Sequence, residues 1–243
     1  MPGGPATADA SALIGAALGA GDGYFCTYRY ALTIAREHMN RLSDINRLHQ
    51  VVMKGLPMSS KANPGRHNLL FATARRPGRR TGDRPFMTAG APYKILAQAP
   101  FPLNWSSLLS KKIITNVQEV QVEQTWAKGM RCRIRAELYP SRVIGGVGQD
   151  SGRRRRYTTS HEQGAWLRRK MAAAGAHIEP HDIVIGEPEN LTSPSARGVQ
   201  FMASVFTADA TVTDPAAFVA CLTQGVGKGR AYGLGLVLTS KIA

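Results

Sequence analysis

The alternation of apolar and polar residues predicts a β-α-β-β-α-β order in the first half of the chain. A strand is indicated from Tyr24 to Ile34, where aromatic and β-branched side chains are frequent. Ser43 or Asp44 is a suitable cap for the helix that follows, which has apolar residues at helical spacing and ends before Pro57. Further strands at 69–73, 93–98 and 117–122 and a short helix at 105–109 complete the unit.

The second half repeats this order. The pattern predicts a strand over 130–138, a helix over 159–174, strands over 182–186 and 200–206, a helix opened by Asp214 and Pro215, and a last strand over 233–239. The chain is therefore predicted to be α+β, with two tandem ferredoxin-like (RRM-like) βαββαβ domains. We place a flexible N-terminal tail at 1–23 and the domains at 24–123 and 124–243.

Charge narrows the class of partner. Lys and Arg total 31 against 16 Asp and Glu, which gives a formal net charge of +15 and suits a polyanion such as nucleic acid. The three cysteines form no CxxC pair, so we expect neither zinc nor another cofactor.

The sequence does not indicate a membrane protein or a secreted one. The chain has no apolar run of membrane-spanning length. A secretory signal would need Lys or Arg near its start, and the first 23 residues contain neither. We expect a cytoplasmic protein.

The strongest local motif is Gly-Val-Gly-Lys-Gly-Arg-Ala-Tyr-Gly-Leu-Gly-Leu at residues 225–236. Its glycines permit positive φ and close backbone approach, and Lys228 and Arg230 add charge, so the segment suits a phosphate-binding nest. It matches neither a P-loop nor a dinucleotide-binding fingerprint. A helix-to-strand turn whose glycines pack against a neighbouring element is the alternative.

This motif resembles the signature G-h-G-x-x-K/R-x-x-G-x-G-h-h that ends CasE proteins, where h is apolar. The matching positions are Gly225, Gly227, Arg230, Gly233 and Gly235. Residues 130–136, Met-Arg-Cys-Arg-Ile-Arg-Ala, resemble the family's "hRFRLRANP" strand, although Glu137 and Leu138 replace its Asn-Pro. Residues 162–167, Glu-Gln-Gly-Ala-Trp-Leu, resemble its "EEQhxWL" helix. The similarity extends from about Phe25 to the end of the chain.

A fourth block carries the catalytic residue that the resemblance implies. Residues 47–52, Arg-Leu-His-Gln-Val-Val, match the family's "LHxxh" segment, so His49 is the expected general acid, base or both. Many relatives have a tyrosine three residues earlier, where this chain has Asn46. Asn46 cannot transfer a proton but can orient the histidine or the ribose. The second group that transfers a proton stays open: the candidates are water, a lysine, and a tyrosine from another strand.

The resemblance implies a metal-independent endoribonuclease that cuts the CRISPR precursor transcript at the 3′ base of each repeat hairpin. Such a protein then stays bound to the hairpin, together with other Cascade subunits, and needs no membrane. Lys228, Arg230 and the glycine loop would hold the RNA backbone. The stem contacts would come from a run of four arginines and from one in a turn, namely Arg153, Arg154, Arg155, Arg156 and Arg197.

Three alternative functions belong to other classes of protein. Asn46 favours a non-catalytic subunit that binds the RNA hairpin. The basic charge also fits a ribosome-associated protein without preference for a CRISPR repeat. A metal-dependent nuclease needs clustered carboxylates, which the sequence does not indicate.

Overall fold

The computed structural model of the protein describes residues 23–57, 68–73, 93–145, 154–196 and 199–242. The first unit contains four antiparallel strands in the order β2-β3-β1-β4, the arrangement of a ferredoxin-like fold. Its elements are β1 (Tyr24–Ile34), α1 (Ile45–Val52), β2 (Leu70–Thr73), β3 (Lys94–Ala99), α2 (Ser106–Ser110) and β4 (Ile114–Thr125).

The second unit repeats this topology with the strand order β10-β11-β5-β12. Its elements are β5 (Arg131–Leu138), β6 (Ser141–Val143), β7 (Arg154–Arg156), α3 (Ser160–Ala172), β8 (Ala176–His177), β9 (Ile183–Ile185), β10 (Glu189–Thr192), β11 (Gln200–Val212), α4 (Pro215–Gln224) and β12 (Val237–Lys241). The short strands β8 and β9 also pair with β11, and β6 pairs with β7 as a separate hairpin. The predicted α+β class with two tandem ferredoxin-like units is confirmed.

Helix starts follow the sequence signals closely. The Asp44 carboxylate caps α1, Thr159 and Glu162 form a capping box at α3, and Asp214 caps α4 with Pro215 in its first turn. Each side chain satisfies backbone N–H groups that have no partner within the helix. Within the described ranges, no helix is long and apolar enough to cross a membrane.

The structure corrects several predicted boundaries. The last strand begins at Val237 rather than at 233, because Gly233 and Gly235 have φ of 81° and 85° and cannot continue a strand. Strands β4 and β11 are longer than predicted, since they cover Ile114–Thr125 and Gln200–Val212. Residues 154–156 were predicted as a basic segment before a helix, but they pair with β6 as a strand.

The two units are joined by packing and by buried hydrogen bonds. Phe25, near the start of β1, and Trp126, which directly follows β4, lie in the apolar core of the second unit. The buried Gln98 side chain of β3 donates from Nε2 to the Leu222 carbonyl of α4 over 2.9 Å. At the other side, Ile45 of α1 packs in a small cluster whose other buried members come from the second unit: Leu191, Ala203 and Leu234.

The glycine-rich segment after α4 lies at this boundary. A Cβ on Gly225 would lie 2.9 Å from Cδ2 of Leu70, and one on Gly233 would lie 2.8 Å from Cε2 of Phe71. Real Cβ atoms do not approach neighbours so closely, so these positions let the second unit contact strand β2 of the first.

Gly233→Ala should therefore destabilise the protein more than Gly129→Ala. Both glycines have positive φ, of 81° and 86°, but a Cβ on Gly129 would meet nothing within 4 Å. Gly129→Ala should cost about 1–2 kcal/mol for the backbone conformation alone. Gly233→Ala should cost a further ~1–3 kcal/mol from overpacking against Phe71. Urea denaturation of both variants measures the difference, and equal losses would show that close packing at Gly233 contributes nothing.

Candidate functional site

His49 lies in the last turn of α1, at the boundary between the two units. Leu48, Val51 and Val52 of the same helix are buried in the core of the first unit. His49 itself is half-buried, and its ring lies 5.7 Å from that of Tyr232, measured between centroids at a 51° interplanar angle. The helix therefore fixes the backbone of His49 while its side chain faces the glycine-rich loop of the second unit.

Burial sets the protonation state of this histidine. Desolvation lowers the pKa of His49 below its usual range, and the neighbouring backbone of Ala231 opposes this shift only in part. Its Nδ1 atom is shielded from solvent and has no hydrogen-bond partner among the described residues. The neutral imidazole is therefore favoured at neutral pH, which is the form that accepts a proton.

Asn46 lies one helical turn before His49 and faces the second unit. Its Nδ2 atom donates to the Ser195 Oγ over 3.4 Å. Residues three apart on a helix share one face, so Asn46 and His49 border the same surface. The amide supplies hydrogen bonds at that surface without transferring a proton.

Asp44 precedes Asn46 and makes contacts that its role as a cap did not predict. Its carboxylate accepts from the Asn46 N–H at 2.9 Å, from the Ser193 Oγ at 2.7 Å and from the Ser195 N–H at 2.9 Å. Desolvation raises the pKa of Asp44, but hydrogen bonds from Ser195, Ser193 and Asn46 outweigh it and bring the pKa to about 2. The carboxylate is thus ionised and links α1 to the β10–β11 turn.

Tyr232 is a site residue that the sequence analysis did not single out. It belongs to a short 3₁₀ turn, Arg230–Tyr232, which lies between the left-handed residues Gly229 and Gly233. Its ring contacts Phe201 at 5.4 Å, and Phe201 contacts Tyr139 at 5.5 Å. Three successive ring contacts therefore connect His49 to Tyr139. Tyr232 lies within the glycine-rich motif, but only the tertiary fold places it beside His49.

Tyr139 also lines an open pocket of about 220 Å³ in the second unit. Four cationic side chains border this pocket, and no acidic residue of the described chain does. The cations are Arg154, Lys170, Lys228 and Arg230. The walls include Trp166, Gly225 and Gly227. An excess of positive charge without a counter-charge suits an anionic ligand such as a phosphodiester.

The structure thus brings together most of the glycine-loop residues and one of the predicted arginines. Gly227 lies beside Trp166, whereas Gly225 and Gly233 pack against the first unit, as the packing alternative expected. Arg230 donates from Nη1 to the Gln224 carbonyl at 2.6 Å, which steadies the loop. Lys170, in α3, was not predicted; its place in the pocket follows from the packing of α3 beside the loop.

The other predicted arginines are placed differently. Arg155 is exposed and Arg156 half-buried in the β6–β7 hairpin, where neither lines the pocket. Arg142, opposite Arg155 in that hairpin, lies over the Tyr157 ring at 5.7 Å. Arg153 and Arg197 lie outside the described residues, so their stem contacts stay predictions.

The whole fold resembles solved structures from CRISPR systems. Thermus thermophilus Cse3, bound to an RNA representing a pre-cleavage complex, matches with a TM-score of 0.73 and 23% identity, over 89% of this chain and 100% of that one. CRISPR endoribonuclease Cse3 bound to a 19-nucleotide RNA matches with a TM-score of 0.71 and 23% identity, over 88% and 99%. A chain of a CRISPR RNA-guided surveillance complex matches with a TM-score of 0.58 and 16% identity, over 88% and 100%.

Because these identities are low, the solved structures establish the fold of this chain and nothing further. No curated protein matches the chain by sequence. The family model described as CRISPR associated protein matches residues 28–240. Since that model covers most of the chain, this protein belongs to the CRISPR-associated protein family, which confirms the resemblance drawn from its motifs.

Proposed function

We propose that this protein is a metal-independent endoribonuclease that binds the CRISPR repeat hairpin and cuts precursor CRISPR RNA at the 3′ base of the stem. It then remains bound to the hairpin as a Cascade subunit. The observation that carries this proposal is the half-buried His49 beside Tyr232, where burial lowers the pKa of the imidazole. The similar Cse3 structures, whose RNA-bound forms include a pre-cleavage complex, support it.

The reaction uses the nucleophile that RNA carries. The 2′-oxygen attacks the adjacent phosphorus while the bond from phosphorus to the 5′-oxygen breaks, which leaves a 2′,3′-cyclic phosphate and a 5′-hydroxyl. Neutral His49 takes the 2′-hydroxyl proton as the general base, and Asn46 orients the ribose or the imidazole. The 5′-oxygen receives its proton from the second group. Tyr232 supplies a hydroxyl on the side chain that contacts His49, and water is the alternative donor.

The basic pocket supplies the electrostatic part of binding. Arg154, Lys170, Lys228 and Arg230 surround one open cavity that lies on the far side of the aromatic contacts from His49. Phosphates held there release condensed counterions, which favours binding. Arg153, Arg155, Arg156 and Arg197 are proposed to contact the hairpin stem, whose backbone and shape dominate duplex RNA recognition.

A non-catalytic RNA-hairpin-binding subunit is the second candidate. Asn46 favours it, because this position holds an amide where many relatives have a phenol that can exchange a proton. Both candidates predict tight binding to the hairpin, and only the first predicts cleavage.

His49→Ala should slow cleavage strongly and preserve RNA binding. Loss of the general base should lower the single-turnover rate on repeat RNA in excess EDTA by roughly 10²–10⁴-fold. The dissociation constant should stay within about twofold, because the cations of the pocket are unchanged. If wild type binds tightly but does not cut, the non-catalytic subunit is supported. Cleavage that stops in EDTA would instead indicate a metal-dependent nuclease.

The pH dependence of kcat/KM should reflect the lowered pKa of His49. A base whose pKa is lowered stays neutral to lower pH, so the rate should fall only as pH drops below the usual value of about 6.5. Tyr232→Phe keeps the shielding ring and should keep this midpoint. Tyr232→Ala exposes His49 to water and should move the midpoint up toward 6.5. A midpoint above 6.5 in wild type would contradict a desolvated base.

Lys228→Ala should weaken RNA binding and reduce its salt dependence. The plot of log affinity against log salt should lose about one unit of slope if Lys228 neutralises one phosphate. Lys128→Ala is the matched control, since Lys128 is exposed in the β4–β5 turn and does not line the pocket. Equal slopes for the two variants would place the RNA elsewhere.

A further inference from the structure

The Asp44 carboxylate is buried and is shared between the two units. Asp44 and Ser193 are each 7% exposed as whole residues, and the Ser193 hydroxyl donates to the carboxylate from the second unit. Two of its donors are N–H groups of its own helix, at Asn46 and Arg47. The other two are the Ser193 hydroxyl and the Ser195 N–H, from the turn that follows β10. Half of its hydrogen bonds therefore cross the boundary.

Capping a helix does not require such contacts. Asp214 caps α4 through the Ala217 N–H, the one hydrogen bond that the described structure gives its carboxylate. Thr159 caps α3 with help from Glu162 of the same helix. The cross-boundary bonds of Asp44 thus need a different explanation from helix initiation.

The position of α1 explains why Asp44 makes hydrogen bonds across the boundary. This helix has eight residues, so its first and last turns are close together and move as one body. At its start, Asp44 is bonded to the second unit and Ile45 packs against Leu191 and Leu234. At its end, His49 contacts Tyr232 of the same unit. The bonds at Asp44 therefore set where His49 lies relative to the glycine-rich loop.

The units do not depend on Asp44 for their association. Phe25 and Trp126 lie in the core of the second unit, and the Gln98 side chain bonds the Leu222 carbonyl. Loss of the Asp44 bonds should therefore leave the units joined and free only the start of α1 and the turn around Ser193.

We propose that Asp44 is a positioning residue, which with Ser193 forms a buried latch between the units and holds His49 in register with the bound RNA. This inference rests on the proposed function, because His49 must act on RNA for its placement to affect a rate. Small displacements of a catalytic group are costly, so the latch should act on the chemical step rather than on affinity.

Three variants test the latch. Asp44→Ser keeps a side chain that caps helices as well as Asp does, but its single oxygen cannot serve both donors of the second unit. Ser193→Ala removes one cross-boundary bond and leaves the cap intact. Asp214→Ser is the matched control, since it makes the same change at a cap without cross-boundary bonds.

Three measurements are made on each full-length variant: the single-turnover cleavage rate, the RNA affinity, and the titration of the His49 ring by NMR. We expect Asp44→Ser and Ser193→Ala to lower the cleavage rate roughly 10- to 100-fold with affinity within twofold. The His49 titration should shift in both variants and not in Asp214→Ser. A wild-type rate in Asp44→Ser, or an equal loss in Asp214→Ser, would overturn the latch.

The NMR titration separates this inference from the proposed function. If wild type does not cut RNA, the proposed function fails, whereas the latch is still judged by the His49 ring. An unchanged His49 titration in both Asp44→Ser and Ser193→Ala would then overturn it.

Discussion

The candidate site depends on how closely the two ferredoxin-like units approach one another. His49 comes from the first unit, whereas Tyr232 and the four pocket cations come from the second. Gly225 and Gly233 allow that approach, because a side chain at either position would meet Leu70 or Phe71 of β2. The glycine-rich loop is therefore a packing element as well as a place where backbone and cations meet a ligand.

The same closeness gives His49 its chemistry. Contact across the boundary removes water from the imidazole, which lowers its pKa and keeps the ring neutral. The pocket at the far end of the aromatic contacts concentrates cations, so an anion is attracted to the second unit while the base stays uncharged. Asp44 is ionised in the same region, but hydrogen bonds from Ser193 and Ser195, and not a cation of the pocket, stabilise its carboxylate.

The sequence predicted what depends on local pattern. The β1 strand, the caps at Asp44 and Asp214, and the tandem order follow from periodicity and capping chemistry, and the structure has them. The predicted start of β12 was wrong, because Gly233 and Gly235 have positive φ, which a strand does not accommodate, although the apolar residues alternate there. The hydrogen bond from Ser193 to Asp44 joins residues 149 positions apart, and no spacing rule indicates it. The roles of Tyr232 and Lys170 likewise depend on the packing of distant elements.

The chemical ends of the cleaved RNA test the central proposal most directly. Repeat RNA would be incubated with the wild-type protein in EDTA, and both fragments would be weighed by mass spectrometry. Attack by the 2′-hydroxyl predicts a 2′,3′-cyclic phosphate on the upstream fragment, a 5′-hydroxyl on the downstream fragment, and no cleavage of RNA with a single 2′-deoxyribose at the scissile position. A 3′-hydroxyl with a 5′-phosphate, or cleavage of the deoxy-substituted RNA, would contradict it.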